Sequence, residues 1–216
     1  KYQNRNGWTH KDLFRLAHPK FGQSGTKFDI GYWLMKGWDS VGEQPHPVPS
    51  LNYIWAAEKA KLAKTPKEIV DLIKNYGLVR ECVPTQWMTD KNVLLALLED
   101  MPLTALIRNL ASMTKNGVLA PMSEAANQVC KKLKSATWIT KSRVHPINIL
   151  IALNTYKTGQ SLRGESSWTP NSTICSALED AFYLAFGNVV PTNKRIMQCL
   201  DISGSMGISS IPGLNL

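Results

Sequence analysis

The sequence predicts a mostly α-helical protein with one β-strand near its C-terminal end. Three observations carry this expectation. Helix start signals paired with glycine stops recur along the chain, and the apolar residues between them fall at helical spacing. After Gly187 the texture changes, and a short apolar run leads into a Ser/Gly turn. The 216 residues suffice for one large domain or one domain plus part of another, and a hydrophobic content of 44% can fill a core. No stretch reaches the ~18 uncharged apolar residues that a membrane span needs. The chain opens on Lys1, not Met, so the lack of a leader pattern says nothing about targeting.

The first helix lies in KYQNRNGWTHKDLFRLAHPK. Thr9 can cap it, and Pro19 ends it near His18. Leu13, Leu16 and Ala17 fall on one face, the side expected to turn inward. EQPHPVPSLN is a Pro-rich loop. In KTPKEIVDLIKNYG, Thr65 is an N-cap, Pro66 suits the first helical position, Glu68 completes a capping box and Gly77 suits the stop. TDKNVLLALLED is apolar through its middle and predicts a buried helix. MPLTALIRNLASMTKNG starts at Pro102 and stops at Gly117; HPINILIALNTYKTG repeats the device with Pro146 and Gly159. TPNSTICSALEDAFYLAFG repeats it again, with Thr169 as cap, Pro170 first and Gly187 last. The prolines are unequally spaced, which suggests stacked helical hairpins of an irregular solenoid. GQSLRGESSW is a loop whose Arg163 either contacts a ligand or is simply solvated. NVVPTNK reads as a linker, and RIMQCLD as a short strand ending at Asp201.

Two constellations could carry chemistry. The net charge of +9 favours an anionic partner, nucleic acid before acidic membrane. The charge concentrates at the start of the chain, where Lys1, Arg5, Lys11, Arg15 and Lys20 stand against a single acid, Asp12. Lys11, Arg15 and His18, at i, i+4 and i+7, share the face opposite Leu13. Arg can fork onto a phosphate and Lys acts as a point charge, while Tyr2 and Trp8 could stack on unpaired bases. The bland alternative is an amphipathic helix with a solvated basic side.

The second constellation is LDISGSMG. Asp201, Ser203 and Ser205 offer one carboxylate and two hydroxyls, hard oxygen donors suited to a divalent ion, magnesium first. A Ser/Gly turn with local hydrogen bonds is the plain alternative. Cys82, Cys130, Cys175 and Cys199 are dispersed, without zinc-ligand spacing, and fit free thiols of a reducing compartment. No Ser/His/Asp or Cys/His array can be assembled: His10 reads as surface, His46 as loop and His145 as the position before a helix. The glycines form no phosphate-cradling pattern. An enzyme is therefore not expected.

The strings RNGWTHKDLFRLAHPK, LVRECVPT, EDMPLTALIRNLASMT, HPINILIALNTYKTG, ALEDAFYLAF and LDISGSMG together resemble the Ro autoantigen family, ribonucleoproteins built on the TROVE module. The resemblance implies a HEAT-like α-solenoid ring segment over residues 1–187, a linker at 188–194, and the first β-strand of an α/β von Willebrand factor A domain at 195–216. It implies a non-enzymatic protein of RNA quality control that binds small noncoding Y RNAs and misfolded RNAs, in the cytoplasm with the nucleus left open. It puts Lys1, Arg5 and His18 on positions implicated in Y RNA binding; Lys11 and Arg15 join them on physical grounds alone. Asp201, Ser203 and Ser205 match the first residues of the family's metal site, and further ligands come from later loops. The chain is therefore expected to be a piece of a longer protein, its metal site incomplete. The loop around Arg163 is less glycine-regular than the family's, which leaves Arg163 without an assigned role. A competing reading is a TROVE scaffold of a telomerase- or vault-associated particle, gripping a protein partner through the A domain; a hydrolase would need a catalytic array that is missing from the sequence.

Overall fold

The computed structural model describes residues 4, 6–22, 24–37, 49–161 and 165–205. The Pro-rich loop before α3, Arg163, Tyr2 and His46 fall outside them, as do Lys1 and Arg5. The described residues form ten α-helices: α1 (His10–Ala17), α2 (Thr26–Lys36), α3 (Pro49–Leu62), α4 (Pro66–Tyr76), α5 (Lys91–Asp100), α6 (Leu103–Lys115), α7 (Glu124–Leu133), α8 (Ala136–Ser142), α9 (Pro146–Thr158) and α10 (Ser172–Ala185). None of them is long and apolar enough to cross a membrane. The chain divides into two compact units, Lys1–Glu99 and Asp100–Leu216.

Local chemistry sets most helix ends in the first unit. The Thr65 hydroxyl accepts from the Glu68 N–H at 3.3 Å, and Pro66 opens α4. The Glu68 carboxylate reaches back to the Lys64 N–H and to the Thr65 hydroxyl, a variant of the expected box. These bonds hold the Glu68 carboxyl below its ordinary range. Gly77 ends α4 at φ 65, ψ 36, where glycine avoids the Cβ clash of the left-handed region. α2 packs on α3 and α3 on α4. Leu51, Ala56 and Ala60 of α3 and Ile69 and Ile73 of α4 are buried in this unit's core. α5 is buried through Val93, Leu94, Ala96, Leu97 and Leu98, as its apolar run predicts.

In the second unit α6 packs on α7, α8 and α9, and α10 packs on the same three. Leu106, Leu110, Met113, Val129, Leu133, Ile139, Ile149, Ile174 and Leu178 are buried between them. α9 opens on Pro146, with His145 Nδ1 accepting from the Ile147 N–H at 3.2 Å, so this histidine is a cap. Gly159 ends α9 at φ +69, and an added Cβ would lie 2.7 Å from the Trp168 carbonyl oxygen. Both the conformation and the close approach require glycine here. The loop returns over this point: the Trp168 N–H donates to Gly159 O at 2.9 Å and its indole N–H to Tyr156 O at 3.0 Å.

That return displaces the start of α10. Thr169 and Pro170 are not its cap and first residue; Asn171 is the cap, and the helix begins at Ser172. Asn171 wins because it is held from several sides. Its Oδ1 accepts from the Thr173 N–H and hydroxyl, its Nδ2 donates to Leu119 O, and its own N–H donates to the Tyr156 hydroxyl. At the other end, Phe186 rather than Gly187 closes α10, and the chain runs into a short 3-10 turn at Phe186–Asn188. Lys134 pairs with Asp180 at 2.9 Å and Lys157 with Glu179, all four side chains about half exposed, so these pairs add little stability.

Among the described residues, Arg195–Leu200 is not paired as a strand. The segment carries no assigned secondary structure, and Ile196, Met197 and Leu200 are exposed. A strand exists only through its ladder to a neighbour. Among the described residues the one β pairing is an isolated bridge between Gln160 and Ser167.

Candidate nucleic-acid interface

The Asn4 side chain accepts from the Gly7 N–H at 3.1 Å, tightening a turn that leads to Trp8, 60% exposed, and then to α1. The Thr9 hydroxyl accepts from the Asp12 N–H at 3.2 Å. The Asp12 carboxylate in return accepts from the Thr9 N–H at 3.0 Å and from the Thr9 hydroxyl at 2.6 Å. This is a complete capping box. The Thr9 hydrogen bonds lower the Asp12 carboxyl below its ordinary value, and Arg15 and Lys11 add to the effect.

The cap has an electrostatic consequence. Asp12, the lone acid of the segment, is bound to the start of its own helix. Lys11, Arg15 and His18 are exposed, and among the described residues neither Lys11 nor Arg15 has an ion-pair partner. The structure thus brings these three onto one free basic face. His18 closes the helix in the left-handed conformation, φ 43, ψ 50, its N–H donating to Phe14 O at 3.1 Å.

The opposite face departs from expectation. Leu13 is 55% and Leu16 67% exposed, Ala17 is exposed too, and no residue of α1 is buried. α1 packs on α2, and the half-buried Phe14 meets Phe21, with ring centroids 5.0 Å apart. Phe21 lies flat against Gly31 of α2, where a Cβ would stand 2.9 Å from the ring. Helical period correctly separates the polar from the apolar side, but one neighbouring helix covers only the Phe14 edge.

Asp201, Ser203 and Ser205 are all exposed and close together. The Ser203 N–H donates to Asp201 Oδ1 at 2.9 Å, and the two serine hydroxyls are 3.2 Å apart. The bonds from Ser203 depress the Asp201 carboxyl below its ordinary value, so it is ionised at neutral pH. One anionic and two neutral oxygen donors fit a hard divalent cation in kind. Among the described residues no cluster of three or more His, Cys, Asp or Glu side chains has metal-binding geometry, so other donors, water included, would have to complete the shell. The four cysteines are free thiols.

One feature was not visible in the sequence. α6 and α9 border a half-open groove of about 310 Å³ whose lining includes the exposed Arg108 and Asn148. These residues are far apart in the chain and share no motif, so only the packing of the two helices reveals them.

Known proteins are similar to this chain. The TROVE domain family model matches residues 1–156. The chain is 37% identical to the RNA-binding protein RO60 of Caenorhabditis elegans, over 98% of this chain and 39% of that protein. It is 36% identical to the RNA-binding protein RO60 of Deinococcus radiodurans, over 99% of this chain and 40% of that protein. The crystal structure of the Deinococcus radiodurans RO (RSR) protein matches with a TM-score of 0.77 at 35% identity, covering 90% of this chain and 38% of that one. The chain thus spans about two fifths of the length of these relatives. A family model matched over most of the sequence and a shared helical structure lead to one conclusion: the chain belongs to the TROVE-domain family and is, over nearly all its length, a relative of these Ro proteins.

Proposed function

We propose that this chain is the RNA-contacting part of a Ro-type ribonucleoprotein that binds small noncoding RNAs, Y RNAs and misfolded RNAs among them, without catalysing a reaction. The observation that carries this reading is the free basic face of α1, with Asp12 withdrawn into the cap and Lys11, Arg15 and His18 left to solvent. Lys1 and Arg5 extend the same charge in sequence. The relatives' description as RNA-binding proteins and the net charge of +9 support it. In mechanism, Arg15 forks onto a phosphate, Lys11 supplies a point charge and the His18 imidazole donates to a backbone oxygen, while Trp8 offers its face to an unpaired base. Such contacts position a backbone and carry little sequence information.

A HEAT-like solenoid, with the segment after Gly187 leading into a von Willebrand factor A domain, is the architecture we infer. In it Asp201, Ser203 and Ser205 would hold a magnesium ion, which when bound offers an open coordination site to a partner's carboxylate. Ser203 positions Asp201 for this through its N–H. Free thiols favour a reducing, cytoplasmic setting.

The test is RNA affinity against salt concentration. Neutralising about four phosphates gives a log–log slope of about −3 to −4. Lys11→Ala and Arg15→Ala should each flatten it by about one unit at unchanged stability. A slope near zero, or one untouched by both substitutions, removes α1 from the interface.

A further inference from the structure

α6 and α9 lie side by side in the second unit, and the cavity between them holds chemistry that neither α1 nor the Asp201 loop uses. Thr104, Arg108 and Ala111 succeed one another on one face of α6; Asn148, Ala152 and Thr155 do so on α9. Ile107 and Ile151 make the walls apolar. Tyr156 is a fixed boundary, 2% exposed, its hydroxyl hydrogen-bonded to Thr114 at 2.8 Å and to the Asn171 N–H at 3.2 Å. No Asp or Glu lines the cavity. Among the described residues, the Arg108 guanidinium has no ion pair or hydrogen bond, and the Asn148 side-chain amide has no partner.

A lone guanidinium with no acid nearby selects an anion, and for a phosphate it offers a fork. Apolar walls from two helices suit a flat ring, as in sites that hold an unstacked base between apolar side chains. A primary amide donates and accepts in one plane, which reads the edge of a base, adenine best. The volume of about 310 Å³ is at the small end of ligand cavities, so one such unit fits and a larger cofactor does not. We propose that this groove binds a single unpaired nucleotide, its base between α6 and α9, its phosphate on Arg108 and its base edge on Asn148. The nucleotide comes either free in solution or as one unit of an RNA strand. In the second case the groove deepens the RNA-binding reading; α1 contributes nothing to it, so the two fail separately.

The experiment is calorimetric titration of the 216-residue chain with AMP, UMP, adenosine, benzoate and a single-stranded tetra-adenylate. AMP should bind more tightly than UMP, and Arg108→Gln should weaken AMP by about tenfold while leaving adenosine unaffected. Asn148→Ala should erase the preference for AMP over UMP. Ala111→Leu, which fills the groove while keeping the Arg108 charge, should block AMP binding. The Lys11→Ala/Arg15→Ala double variant should bind AMP normally. Tetra-adenylate that displaces AMP and binds more tightly assigns the site to RNA; tetra-adenylate that fails to displace AMP assigns it to free nucleotide. Absence of binding by both, AMP binding indifferent to Arg108→Gln and Ala111→Leu, or benzoate binding as tightly as AMP overturns the proposal.

Discussion

Replacing Asn171 by Ala should be among the costliest polar substitutions in the second unit. Asn171 is 4% exposed and begins α10, which packs on α7, α8 and α9. Alanine removes the Oδ1 that accepts from the Thr173 N–H at 3.1 Å, a cap contribution of about 1 kcal/mol. It also removes the Nδ2 that donates to Leu119 O at 3.3 Å, in a buried setting where an unsatisfied carbonyl costs about 1–3 kcal/mol. The Thr173 hydroxyl is exposed and finds water, and the Tyr156 bond to the backbone N–H survives. The sum is about 2–4 kcal/mol. Asn171→Ser keeps a capping oxygen and loses only the tether to Leu119, so it should cost about 1–3 kcal/mol, less than alanine. Urea unfolding followed by circular dichroism measures the loss, and amide exchange in α10 localises it. A loss below about 1 kcal/mol for alanine would show that the Leu119 tether carries no weight. Equal losses for alanine and serine would show that the cap carries none.

Three further outcomes are expected. Leu13→Ala should stay within about 0.5 kcal/mol of the parent chain because Leu13 is 55% exposed, whereas Ile139→Ala, at a fully buried position, should cost about 2–5 kcal/mol in the same denaturation assay. Asp12 has a folded pKa below its ordinary value of 3.8, so its cap stabilises α1 above that pH and the contribution is lost as pH falls through the lower folded value; amide exchange at Thr9 and Asp12 should accelerate in that acid window, and Thr9→Ala, which removes the hydroxyl and keeps the backbone N–H, should weaken the pH dependence. Manganese should broaden the amide resonances of Asp201 and Ser203 only at about millimolar concentration, because three protein oxygens leave half the octahedral shell to water, and Asp201→Ala should remove the effect; micromolar, Asp201-dependent binding would show a complete site within this loop.

Helix ends were legible wherever one or two neighbouring residues determine them. Thr65, Pro66 and Gly77 set α4 by local bonds, as Pro146 and Gly159 set α9. The start of α10 was not legible, since Thr169-Pro170 imitates a cap while Asn171 is selected by Leu119 and Tyr156, which belong to other elements. The outer face of α1 failed for a related reason: period shows which side is apolar, not what covers it. Arg195–Leu200 has the composition of a strand, but pairing is a property of two segments and cannot be read from one. On the candidate interface, charge and spacing already placed Lys11, Arg15 and His18 together. What they could not show is that Thr9 holds the Asp12 carboxylate at the start of the helix, out of an ion pair with Lys11 or Arg15.

The backbone of His18 sets two demands against each other. Its φ of 43 lies where glycine is at ease and a side chain carries a conformational cost of about 1 kcal/mol. A chain tuned for helix termination alone would place glycine here, as at Gly77 and Gly159. An imidazole at this position instead stands exposed at the C-terminal end of α1. The same turn that ends the helix thus fixes the His18 backbone three residues beyond Arg15, so less backbone freedom would be lost if both side chains met one ligand. The strain of termination serves as advance ordering of the exposed end of α1.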